Sequence, residues 1–66
     1  MTEQELEGMT VNERLFHLGL MHRFDVAASN REVEAMVQVL LQAQFSEAQA
    51  LATAQAVAAN PQRYGY

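Results

Sequence analysis

Any chemistry in this chain would begin with its two histidines, His17 and His22. Histidine is a common general base and a common metal ligand. The two stand five residues apart. On a helix that step turns the side chain by about 140°, so the rings diverge, whereas paired helical metal ligands sit four apart on one face. There is no cysteine and no third ligand clusters nearby, so the spacing predicts no metal site. Glu13 beside Arg14 could in principle do acid–base work. Glu13, however, falls where a helix cap needs a carboxylate, and Arg14 reads as a surface-paired cation. His22 and Asp25 are three apart on one helical side, close enough to hydrogen-bond. No nucleophile accompanies them, and a short bundle seldom encloses a pocket. The pair reads as structural. The chain is expected to be no enzyme, with no catalytic residue and no cofactor.

The elements that would position these groups are constrained by size. Sixty-six residues make one domain at most, of a size at which folding alone is marginal. Disulfides are excluded, and self-association becomes the expected source of extra stability. The net charge of -4 is uneven: Glu3, Glu5, Glu7 and Glu13 precede Arg14, and from there four arginines balance Asp25, Glu32, Glu34 and Glu47. A basic footprint for nucleic acid is lacking. Residues 1–9 read as a solvated acidic segment and 10–66 as a single helical domain. A run of 18 apolar residues is absent, so no membrane span is expected. The acidic start lacks the apolar stretch of a secretory signal, which points to the cytoplasm. All cations other than histidine are arginine, and eleven residues are alanine, a pattern of GC-rich coding that suggests bacterial or phage origin. Met9, just before a helix start, could itself begin translation.

Three capping boxes divide the domain. A Ser or Thr followed three residues later by Glu or Gln satisfies two orphan helix amides reciprocally. Thr10–Glu13, Ser29–Glu32 (with Asn30 a competing cap) and Ser46–Gln49 each open a run of helical period. A fourth match, Thr2–Glu5, is followed by only one turn before Gly8. The pattern predicts an all-α three-helix bundle with helices at about 11–28, 30–44 and 47–59. Pro61 pushes Asn60 out of the helical region. In the second helix Val33, Met36, Val37, Leu40, Leu41 and Gln44 make one apolar stripe. In the third, Ala50, Leu51, Ala54, Val57 and Ala58 do so, with little area to bury. The third helix is therefore expected to be the least stable.

The first helix is apolar on opposite flanks when drawn as one rod. Val11, Leu15, Leu18 and Val26 lie on one side with His22 among them, and Phe16, Leu20, Phe24 and Ala27 on the other. Two partner helices can cover only one broad side, so either the wide apolar face wraps into a tight core or the surplus is covered by a second copy of the chain, by the C-terminal tyrosines folding back or by a different protein, and either flank could be the core. Mid-helix Gly19 costs about 1 kcal/mol against alanine and suggests close approach of another helix. Tyrosine and arginine are frequent anchors in binding surfaces. The candidate interface is thus Phe16, Gly19, Leu20, Arg23, Phe24, Tyr64 and Tyr66. In the tail, Tyr64 is expected to pack on the bundle and Tyr66 to fray.

The opening Val11-Asn12-Glu13-Arg14-Leu15-Phe16, then Gly19-Leu20 and Phe24-Asp25-Val26-Ala27, and the ending Asn60-Pro61-Gln62-Arg63-Tyr64-Gly65 resemble a group of short bacterial helical proteins. The resemblance covers residues 10–66. It implies the domain limits and a prokaryotic source, and carries over no activity, cofactor or site residue. The resulting expectation is a small protein-interaction module that self-associates as a dimer through its first helix and binds another protein as an accessory, regulator or inhibitor. The alternative is a structural subunit stable only inside a larger complex.

Overall fold

The computed structural model describes residues 8–66. The Thr2–Glu5 match and most of the acidic segment lie outside them. Among the described residues the fold is all-helical, with no strand. It has four α-helices, α1 (Val11–His17), α2 (Met21–Ser29), α3 (Val33–Gln42) and α4 (Glu47–Ala59), then a 3-10 helix over Pro61–Tyr64. The expected three-helix bundle is corrected to four, because the segment read as one rod over 11–28 is two helices.

The break falls at Leu18-Gly19-Leu20. Gly19 has φ +72, in the left-handed region where a Cβ is penalised and glycine is not. Its amide donates to the Phe16 carbonyl at 3.1 Å, and the Leu20 amide to the Leu15 carbonyl at 2.8 Å. This pair of bonds is the Schellman closure of a helix end. Gly19 therefore terminates α1. It does not mark a tight helix crossing, since a Cβ built there would meet nothing within 4 Å. The turn also removes the problem of opposing flanks. With α1 and α2 free to point in different directions, Leu15 (0% exposed) from one flank and Phe24 (2%) from the other enter the same core.

The same closure recurs. Arg31, at φ 56, donates to Ala28 and the next amide, Glu32, to Ala27, which ends α2. Gln44, at φ 69, donates to Leu41 and Phe45 to Leu40, which ends α3. The first of these overturns the capping box expected at Ser29. Ser29 is the last residue of α2, and Asn30 is its C-cap. Arg31 could not be left-handed and also stand in the first turn of a new helix. Helix α3 starts instead after Glu32, which makes no side-chain cap. The second moves Gln44 from the expected stripe into an exposed turn.

The other two boxes form as expected. Thr10 and Glu13 exchange bonds of 3.2 Å in each direction, and Ser46 and Gln49 bonds of 3.2 and 3.1 Å. Helix α4 has the bounds read from sequence and packs mainly on α3. Their contact is built from small groups: five of the eleven core residues are alanine, and the large side chains buried completely are Leu15, Met36 and Leu40 alone. Val39, left out of the expected stripe, is buried, while Leu51, placed in one, is 47% exposed.

Arg14, expected at the surface, is 8% exposed. Its guanidinium lies 4.1 Å from the centre of the Phe45 ring, a cation–π contact. One Nη points at the Ala43 carbonyl, at 3.5 Å, where the last carbonyls of α3 carry partial negative charge. The arginine thus fastens α1 to the α3–α4 turn.

The left-handed positions make a paired prediction. Gly19→Ala should lower the unfolding free energy by about 1 kcal/mol through backbone strain alone. Gln44→Gly should raise it by roughly 0.5 kcal/mol, because a side chain leaves a strained position. Urea denaturation of the three proteins checks both signs. A Gly19→Ala protein as stable as the parent would show that the turn does not need a left-handed residue.

Candidate functional site

The seven residues expected to form one interface are divided by the fold. Phe24 is in the core and Leu20 is half-buried against it. Both leave the proposed surface because the helix break turns their flank inward. Phe16 remains on the surface, 78% exposed, the most exposed large apolar side chain described. Gly19 is exposed in the turn beside it in sequence. Arg23 is exposed and donates to the Gln42 side-chain oxygen at 2.8 Å, tying α2 to α3 on the outside.

Tyr64 and Tyr66 reverse the roles expected of them. Tyr64 is 45% exposed, while Tyr66 packs inward. The cause is the turn at Gly65, whose φ of 89 allows the Tyr66 amide to reach the Pro61 carbonyl at 2.9 Å. That bond folds the tail back over α2. The Tyr66 ring meets Phe24 edge-on, with centroids 6.5 Å apart, and its hydroxyl donates to Asp25 at 2.5 Å. Asp25 therefore serves Tyr66, where the sequence suggested His22 as its partner. His22 is exposed.

Phe24, Tyr64 and Tyr66 come together in a groove. The first residues of α1, Thr10 to Asn12, form one side, and Thr53 and Val57 of α4 form the other. Its volume of about 200 Å³ is smaller than the roughly 300–1,000 Å³ of pockets that enclose small molecules. A more open depression of about 360 Å³ lies between α2 and α3, edged by His22, Arg23 and Glu32. Neither holds a nucleophile with a base beside it. Among the described residues no group of three metal-ligating side chains exists. No helix among them is long and apolar enough to cross a membrane. Every buried side-chain nitrogen or oxygen among the described residues has a partner.

Two contacts were not foreseen from sequence, Arg14 on Phe45 and Tyr66 on Asp25. The first joins residues 31 apart in sequence and the second residues 41 apart, and local spacing carries no signal for either. The Schellman pattern offers a partial one, since the residue after the left-handed position usually packs back on its own helix. Leu20, Phe45 and Tyr66 all occupy that place, and all three are half-buried.

Compared with family models, curated proteins and solved structures, the chain matches none.

The Tyr66 contact sets a pH dependence. Burial, then the hydrogen bond to Asp25, then the charge of that carboxylate push the Tyr66 phenol above the ordinary value of 10.0. The folded state favours the neutral, donating form. Its contribution to stability is complete below about pH 10 and is lost as the pH climbs through the raised folded value. Wild type should be more stable than Tyr66→Phe at pH 7–9, and the gap should narrow beyond pH 10. Denaturant midpoints measured across that range check this, and a constant gap would show that the hydroxyl contributes nothing through its proton.

Proposed function

We propose that this chain is a small helical protein-interaction module that pairs with a second copy and acts as an accessory or regulatory binder. The supporting observation is Phe16. A phenyl ring 78% exposed, on a bundle whose other two phenylalanines are drawn into the core or under Arg14, is uncovered apolar surface. It stands on a helix whose ends are both fixed, by the Thr10–Glu13 box and by the Gly19 closure. A large apolar ring left in water gains by being covered on docking, which suits an anchor.

The alternative, a subunit that depends on a larger assembly, is favoured by a different observation. Alanine holds five of the domain's eleven core positions, and each contributes a single methyl group to the buried apolar surface. A chain so constituted gains much from covering its remaining apolar surface.

Light scattering over a concentration series tests the proposal. Wild type should have the mass of a dimer at high concentration, and Phe16→Glu that of a monomer with unchanged helical circular dichroism. Because Phe16 is outside the core, this substitution separates association from folding, which Leu20→Glu would not. A wild-type chain that stays monomeric at millimolar concentration overturns the pairing, and one that is largely unfolded alone favours the subunit reading.

A further inference from the structure

The segment after α4 is attached to the bundle in an unusual way. Beyond the Asn60 amide, which still donates to Ala56 of α4, its backbone bonds stay within residues 60–66: Arg63 donates to Asn60, Gly65 to Gln62 and Tyr66 to Pro61. None reaches α1, α2 or α3. It contributes no buried residue, and only Pro61 and Tyr66 are half-buried. The sole side-chain hydrogen bond from 61–66 to a helix, among the described residues, is Tyr66 to Asp25. Under this thin attachment lie Phe24 and Val57, 2% and 3% exposed. The junction at Asn60, with φ -146 and ψ 66, lies outside the helical region, so helix α4 does not continue into it.

We infer that residues 61–66 form a strap that opens as a unit about Asn60–Pro61, latched by the Tyr66 hydroxyl on Asp25, and that its opening bares Phe24 and Val57. Segments held by few buried contacts and by self-contained hydrogen bonds open well below the free energy of global unfolding. The strap has both properties. Opening gives up the latch, one edge-on ring contact and the cover over Phe24 and Val57, and breaks no backbone bond to α1, α2 or α3, because the strap makes none. The device widens a half-open apolar groove into an exposed strip between α2 and α4 while α3 and α4 stay packed on each other. It does not depend on whether the chain pairs with itself.

Two probes on the dilute, monomeric chain test this. Tyr66→Phe keeps the ring and removes the latch. Binding of a hydrophobic dye should rise severalfold, while amide exchange in α3 and α4 stays at the wild-type rate. Asp25→Asn, which keeps an acceptor oxygen but loses the charge, should give a smaller rise. Tyr66→Ala, which removes the ring as well, should give the largest. Selective carbene footprinting should then mark Phe24 and Val57 with rising intensity in the order Asp25→Asn, Tyr66→Phe, Tyr66→Ala. If dye binding and footprinting rise only together with faster exchange throughout α3 and α4, the strap is part of the global fold and the inference fails. If Tyr66→Phe leaves both at the wild-type level, the hydroxyl is no latch and it fails equally.

Discussion

Each turn between the described α-helices, and the turn after the 3-10 helix, depends on one residue placed in left-handed backbone. Gly19, Arg31, Gln44 and Gly65 each let their own amide and the next one turn back onto the carbonyls just passed. The physics is local: a helix ends with carbonyls that lack partners, and a left-handed residue brings the next amides within reach. The effect is tertiary, because each closure throws the following side chain toward the bundle. Leu20, Phe45 and Tyr66 are carried inward this way, and Glu32 is the exception, used instead to open α3. At Gly19 and Gly65 the chain uses the residue that adopts this conformation without strain. At Arg31 and Gln44 it accepts strain that the surrounding packing must hold.

How far the sequence revealed the fold follows from the same constraint. Capping at Thr10 and Ser46 is written in side chains three residues apart, and both were legible, as was the span of α4 up to Asn60-Pro61. The end of α1 was written too, in a glycine at the close of a helical run, but a continuous apolar pattern on either side of it concealed the break. Once the rod over 11–28 is assumed, Leu15 and Phe24 must face apart. Once it is broken, they share a core. The end of α2 was not legible, because Arg31 is a poor candidate for left-handed backbone and Ser29 with Glu32 imitates a helix start. The surface inherited these errors: of the residues grouped as an interface, Phe16 stayed outside and Phe24 went in.

Polar chemistry in this chain is directed at holding elements in place. Arg14 secures α1 over the α3–α4 turn, Arg23 links α2 to α3 from outside, and Asp25 receives the tail. Each joins parts of the chain that the short helices could not fix by length alone. A helix of seven residues such as α1 is below the size at which a helix is stable in isolation. Its position therefore comes from these contacts and from Leu15.

The alanines of the core carry a consequence for how the sequence can vary. Ala28, Ala43, Ala50 and Ala54 are sealed from solvent, and each offers a single methyl group. Enlarging any of them would force backbones apart across a neighbouring contact, and the only smaller residue, glycine, would loosen the helix that carries it. These four sites are therefore boxed in from both directions. Drift in such a lineage would be channelled to the outer faces, where new specificities could be tried while the scaffold stayed fixed.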